Sequence, residues 1–302
     1  MRRPSALALL AVILTACGSS SPRHPARGAS PSPGSLDALW RAGGEAVGML
    51  NGTSDYSPGL VRVSFLVVRR DARPVYTARA RVWVARGRLA RPFEQRWAQL
   101  ERIGVPGGSG SGNATHIYVA RVRVSKPGRY WLVAAPAGSS VRALGTLDVH
   151  ASSASPAIGT RAYPSPTPTL ASAHGDLAKL TTRVPPDREL VRYSVAGSLS
   201  AHKPFVVVFA TPRFCMSRTC GPVVDVVDAV RRRLRGTGVR FVHVEVYRRN
   251  DPTLGWNRFM RQWHLPSEPW TFLVGADGRI KAKFEGPVAV DELSAAVRRT
   301  LL

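Results

Sequence analysis

Cysteine is scarce in this chain. Its 302 residues hold three, Cys17, Cys215 and Cys220, and no histidine cluster with ligand spacing accompanies them, so a zinc site of the usual kind is not expected. Lysine supplies only 5 of the 43 basic residues, and with 19 acidic residues the formal net charge is +24, carried almost wholly by arginine. Long apolar runs are lacking as well. Beyond the amino terminus no segment is apolar for long enough to cross a bilayer, which leaves no second anchor in the chain. No repeat with a solenoid or propeller period is present.

What the chain does have is arginine, and its distribution argues against a nucleic-acid partner. The arginines fall at alternate positions, as in "VARVRVSK", rather than gathering on one element, which is the pattern of the solvated face of a half-buried strand. For an exported chain, attraction to anionic headgroups and wall polymers is the milder inference. The one dense run, "RRRLR" from Arg231 to Arg235, ends an expected helix, where cations complement the helix dipole.

Arg2 and Arg3 precede "ALALLAVIL", a run too short to span a bilayer and suited to the core of a secretory signal. It ends in "LTAC", which resembles the lipobox of bacterial lipoproteins, with Leu14, Thr15 and Ala16 before Cys17. The resemblance implies cleavage before Cys17, a lipid on its thiol, and a protein held on the extracytoplasmic face of the cell membrane. An ordinary signal peptide with an incidental cysteine is the alternative. If Cys17 carries lipid, Cys215 and Cys220 are each other's only possible intramolecular partner, in a compartment that permits disulfides.

Composition divides the rest. Residues 1–17 read as signal peptide and lipobox, and 18–35 as a flexible Ser, Pro, Gly and Arg tether. Residues 36–150 begin with a stretch that suits a short helix, "SLDALWRAGGEAVGML". They continue with the period-two runs "LVRVSFLVV", "VYTARARVWVA", "THIYVARVRV", "GRYWLVAA" and "VRALGTLDV". Five or more short strands with no helix between them predict an antiparallel β-sandwich. "KPGRYWLVA" resembles the turn and aromatic strand of immunoglobulin-like domains. Residues 151–186, with "YPSPTPTLASA" at their centre, read as a stiffened, extended linker open to proteolysis.

Residues 187–302 change period. "KPFVVVFA" is a continuous apolar strand of the sort buried on both faces of a sheet. Val223, Val226, Val227, Val230 and Leu234 form a helical stripe, with Pro222 at a natural first-turn position. A strand in "VRFVHVEVY", a helix in "LGWNRFMRQWHL", a hairpin turning at Asp277 and Gly278, and a closing helix in "VDELSAAVRRTLL" complete an α/β layer with a mixed sheet.

From Lys203 to Leu302, about a third of the chain, this order resembles a thioredoxin-like domain. The cysteine pair follows the first buried strand and precedes the long helix, where that family carries its redox centre. "SEPWTFLVGADGRI" resembles the segment that holds the family's cis-proline, which implies that Pro269 stands opposite the cysteines, with Trp270 beside it in substrate binding. The resemblance implies exported protein thiols or disulfides as partners, with neither cofactor nor metal. Trp256, Trp263 and Trp270 either line a substrate groove or fill the core.

The motif departs from the family's Cys-X-X-Cys. On one regular helix the i, i+5 pair would lie about 8 to 9 Å apart between Cα atoms, beyond disulfide reach. A bond therefore needs "CMSRT" to be a loop, with the helix starting near Pro222, or a helix that unwinds on oxidation. As an oxidoreductase, Cys215 would attack, favoured by Arg213, Arg218 and the following helix end, and Cys220 would resolve. Gly221 and Pro222 also put Cys220 nearest the helix start, which allows the reverse. The carboxylate of Glu268 would oppose a thiolate. A structural disulfide in a binding module, a peroxiredoxin-like peroxidase (with Thr211 and Pro212 displaced from that family's pattern) and Sco-like copper delivery through His243 or His264 are the other readings.

Overall fold

Alternation of apolar and polar residues governs residues 48–149, and in the computed structural model they form seven strands. The structure describes residues 32–106, 114–214 and 222–302; Cys17, Cys215 and Cys220 lie outside the described residues, together with the lipobox, most of the tether and the segment between the paired cysteines. A short helix, α1 (Leu36–Arg41), comes first, capped by Ser35, whose hydroxyl accepts from the Ala38 amide. The strands are β1 (Gly48–Asn51), β2 (Gly59–Val68), β3 (Arg79–Ala85), β4 (Glu94–Arg102), β5 (His116–Val124), β6 (Gly128–Pro136) and β7 (Ala143–Val149).

All neighbours are antiparallel in the order β1-β2-β5-β4-β3-β6-β7. The two edge strands meet: the Asn51 side-chain amide donates to the Thr146 carbonyl at 3.0 Å, and a Cβ on Gly145 would collide with Met49. The sheet thereby curls around one core, to which Phe65, Val82, Tyr118, Leu132 and Leu147 each contribute from a different strand. Strand β4 has no counterpart among the apolar runs of the sequence. In "EQRWAQLER" only Ala98 is fully buried, and Trp97 is covered from outside by Arg79 and Arg81, 4.1 and 4.7 Å from its ring centre.

The carboxyl-terminal elements are α2 (Val195–Ser200), β8 (Phe205–Phe209), α3 (Pro222–Arg233), β9 (Arg240–Val244), α4 (Arg258–Gln262), β10 (Trp270–Val274), β11 (Ile280–Glu285) and α5 (Val290–Leu301). The sheet order is β11-β10-β8-β9, with β8 and β9 parallel and the other pairs antiparallel. Val206 and Val208 pack with Val223, Val227, Leu293 and Val297 of α3 and α5. Phe205, Val207 and Phe209 pack on the other side with Phe259, Met260 and Trp263. Burial on both faces is why β8 reads as an unbroken apolar run. Helix α4 is shorter than its sequence suggested: it starts only at the Asn257 cap, because Gly255 at φ 69° turns the chain just before it.

Residues 151–186 form neither strand nor α-helix, with a run of turns from Leu170 to Gly175 and one 3-10 turn at Leu177–Lys179, but they do not hang free. Gly159 and Ala162 donate to Ile280 and Gly278, and Ile280 donates back to Thr160, so this stretch covers the β11 edge of the sheet. Ser165 is buried, takes the Trp263 indole N–H at 2.9 Å and donates to Gln262 at 2.7 Å. The expectation of a spacer overlooked its backbone, which keeps amides and carbonyls to pair with an exposed edge.

The two halves also meet directly. Arg62 donates to both oxygens of Glu292 and to the Pro287 carbonyl, with distances between 2.8 and 3.2 Å and both side chains nearly buried. Glu285 accepts from the Ser54 amide and hydroxyl and from the Asp55 amide at 2.6 to 2.7 Å. Gly286, at φ 72°, lets its backbone lie so close to the Gly52 carbonyl that a Cβ would collide with it. Residues Ser32–Leu302 are accordingly one compact unit. Among the described residues no helix is long and apolar enough to cross a membrane.

Candidate functional site

Strand β8 ends at Phe209, and Ala210 to Phe214 carry the chain toward the cysteines; α3 begins beyond them with Pro222 in its first turn, where the absent N–H costs nothing. Phe209 pairs with Trp270 across the sheet, which brings Pro269 to the end of β8 from which the cysteine segment departs. The Glu268–Pro269 peptide is cis. Glu268 Oε2 accepts from the Thr211 amide at 2.8 Å. A carboxylate that looked unhelpful to a thiolate thus holds the backbone leading into Cys215.

A second clasp comes from the Pro-rich stretch. Thr182 gives its amide and hydroxyl to Glu245 Oε1 at 2.6 and 2.8 Å, and its hydroxyl oxygen accepts from the Arg213 amide at 3.2 Å. The next residue, Arg183, is nearly buried and donates through Nε to Asp225 in the first turn of α3 at 2.8 Å. Adjacent residues therefore hold both flanks of the cysteine segment. Asp187 extends the same clasp to Arg231 at 3.3 Å, and Arg231 and Arg232 both bind the buried Asp228. Three arginines of the dense run, Arg231, Arg232 and Arg233, thus meet acids of their own surroundings.

Beneath Ala210 lies a buried ionisable pair. His243 Nε2 donates to the Ala210 carbonyl at 2.9 Å, so this nitrogen carries a proton and is not open to a metal. Glu245 stands 4.0 Å from it, and among the described residues its Oε2 has no hydrogen-bond partner although the residue is only 6% exposed. The sequence signal for this pair was two polar residues alternating with buried valines in "VHVEV". It was legible as a strand and silent about chemistry. Among the described residues no group of three or more His, Cys, Asp or Glu is placed to hold a metal ion. His264 is exposed and stands apart from this pair, its ring 6.0 Å from that of Tyr163.

The tryptophans divide between core and margin. Trp263 and Trp270 are buried at 0% and 1% exposure, and the Trp270 N–H donates to Ser267 Oγ at 3.2 Å. The Trp270 indole is therefore core, stacked on Phe272, and is not a surface for substrate. Pro269 is buried beside it. Trp256 is half-buried and lies parallel to Tyr247 with ring centres 4.9 Å apart.

The cis-proline loop is also tied to the amino-terminal half. Ser267 Oγ donates to Glu285 Oε1 at 3.0 Å, and Glu285 is the carboxylate that receives Ser54 and Asp55. Close by, burial holds the Lys283 ammonium below the usual lysine range despite the nearby charges of Asp55 and Glu285; it donates to Ser153 Oγ and Ser155 Oγ at 2.6 and 2.8 Å.

No family model matches the chain, and no curated protein matches it. Among solved structures it is similar to a thiol:disulfide interchange protein of the thioredoxin family from Chlorobium tepidum TLS. The identity is 16%, over 35% of this chain and 85% of that one, with a TM-score of 0.27. At that score the likeness carries no argument about activity or site residues here.

Proposed function

We propose that this chain is a lipid-anchored, extracytoplasmic protein with an immunoglobulin-like β-sandwich and a thioredoxin-like domain, and that Cys215 and Cys220 exchange disulfides with exported proteins. The observation that carries the reading is the bond from the Thr211 amide to Glu268, which fixes the approach to Cys215 beside a cis-proline loop. A disulfide substrate needs an extended backbone partner beside the attacking sulfur, and such a loop offers one. The strand order supports the fold assignment: a buried strand, a helix, a parallel strand, then an antiparallel hairpin and a helix. The order β1-β2-β5-β4-β3-β6-β7 likewise suits an immunoglobulin-like Greek key, with its C and D strands hydrogen-bonded. Cys17 serves as the anchor in this reading, and the membrane meets the rest of the chain only through surface charge.

In the proposed exchange the Cys215 thiolate attacks one sulfur of the partner disulfide and the other leaves as a thiolate; Cys220 then attacks Cys215 and releases the reduced partner. Two electrons pass to the partner, and the protein ends oxidised. The decisive experiment is mixed-disulfide trapping. With Cys220→Ser, partners should accumulate covalently on Cys215, and with Cys215→Ser they should not. If neither variant traps a partner and the wild type exchanges no disulfide, the oxidoreductase reading is abandoned. The anchor is tested separately: Cys17→Ala should move the protein out of the membrane fraction, and unchanged retention would defeat that part of the reading.

A further inference from the structure

Beside the second clasp, just past the carboxyl end of β9, lies a cavity of about 350 Å³ that the proposed exchange does not use. Lys179, Arg248, Arg249, Arg258 and Arg261 line it, and Tyr247 and Phe259 give it apolar wall. Its volume suits a small molecule.

The charge there is weakly compensated. Several arginines elsewhere meet carboxylates, as Arg62, Arg129, Arg183 and Arg231 do, and Lys179 of the cavity meets Asp176 at 3.3 Å. Among the described residues none of the four cavity arginines lies within salt-bridge distance of an acid. Three are held on backbone carbonyls instead: Arg248 on Leu254, Arg258 on Pro166 and Arg261 on Trp256. A carbonyl fixes a guanidinium without cancelling its charge and leaves further N–H groups to donate. Asp251, the acid beside them in sequence, gives Oδ1 to the Thr253 amide and hydroxyl at 2.9 and 2.7 Å and feels Arg249 only through space. Glu245 also lines the cavity, with Oε1 committed to Thr182 and Oε2 without a hydrogen-bond partner among the described residues, so an anion must bind away from it, toward the arginines.

The wall holds a second sign of specialisation. Arg249 and Asn250 sit in succession at φ 53° and 57°, a left-handed conformation that side chains other than glycine adopt at a cost. Two such residues together place arginine where an ordinary turn would favour glycine. Fixed cations around a concave, partly apolar surface focus positive potential and need little ordering when an anion arrives.

We propose that this cavity binds a small organic molecule carrying a doubly charged oxyanion, phosphate ester or paired carboxylate, on an apolar body. The site stands whether or not the cysteine pair exchanges disulfides. The probe is phenyl phosphate, titrated calorimetrically into the full-length chain in detergent at constant ionic strength. Saturable binding at one site is expected, weakened at least tenfold in the R249G/R258A double variant. Glycine suits the left-handed position, so this variant loses charge without losing its fold, and an unchanged melting temperature checks that. The control is R70A/R123A, which removes the same charge from exposed positions of the amino-terminal half and should bind as the wild type does. Absence of saturation, or equal weakening in both double variants, overturns the proposal in favour of diffuse attraction to a basic surface. So does binding that appears only with phosphatidylglycerol vesicles and never with the soluble probe.

Discussion

The two sheets of this protein solve burial in opposite ways. In the amino-terminal sheet each strand gives alternate residues to one enclosed core and turns the rest outward, so arginines and an aromatic such as Trp97 share its outer face. In the carboxyl-terminal sheet β8 is covered on both sides and has no face left for chemistry. The polar groups that clasp the cysteine segment lie past the strand ends, where Thr211, Glu245 and Glu268 stand. The contrast teaches that in a doubly covered sheet a functional site is sought past the last residue of a strand.

The largest effect that tests this contrast is a deletion in the doubly covered strand. Phe209 meets Trp263 and Phe272 on one face of the sheet, with ring centres 5.0 and 6.2 Å away. Phe209→Ala should lower stability by about 3 to 5 kcal/mol in urea denaturation, the usual range for losing a large core aromatic. Leu60→Ala, at a residue 54% exposed on β2, should change it by no more than about 0.5 kcal/mol. Similar losses at both sites would mean that the two sheets are not built differently.

The seam between the halves comes next. Glu292→Ala would leave Arg62 nearly buried without its carboxylate, and breaking such a pair costs about 3 kcal/mol. Asp148→Ala breaks the exposed pair with Arg129 and should cost less than about 1 kcal/mol. If the seam unites the halves, the wild type should unfold in one transition, and Glu292→Ala should begin to separate it into two. A wild type that already shows two transitions would make the halves independent domains.

How much of this was legible in the sequence depends on what each element needs. The β8 run, the α3 stripe and the position of Pro222 follow from side-chain period alone, and they appear where they were expected. Strand β4 was hidden because its core-side register carries the charged Glu94, Arg96 and Arg102 on either side of Ala98, so no apolar alternation marks it. The Pro-rich stretch misled for a related reason: its docking uses backbone amides and the hydroxyls of Ser165 and Thr182, and composition cannot show where a hydroxyl will find a partner. Trp270 was visible as an aromatic beside the proline, but whether it faces a groove or the core is set by register against Phe209.

Because that stretch is docked, residues 151–186 should resist limited proteolysis in the native protein. The expected finding is protection comparable to that of β10, measured by the time course of fragments from a low-specificity protease. Early cleavage between Ala162 and Thr182 would show that the hydrogen bonds to Gly278 and Trp263 do not hold it.

The smallest expected effect is also the most local. Thr182→Val keeps the shape of the side chain and removes the hydroxyl that joins Glu245 to the Arg213 amide. Each of its two hydrogen bonds contributes about 1 kcal/mol net, so global stability should fall by no more than about 2 kcal/mol, while the Thr182 amide can still reach Glu245. The approach to Cys215, however, loses one of its two clasps and keeps only the bond from Thr211 to Glu268. Hydrogen exchange at the Arg213 amide should therefore quicken and return to the wild-type rate in Thr182→Ser, while exchange at Phe209 in the covered strand should not change. Equal quickening at Phe209 would mean that the strand end and the strand interior are one cooperative unit, and the division between a rigid sheet and a clasped margin would fail.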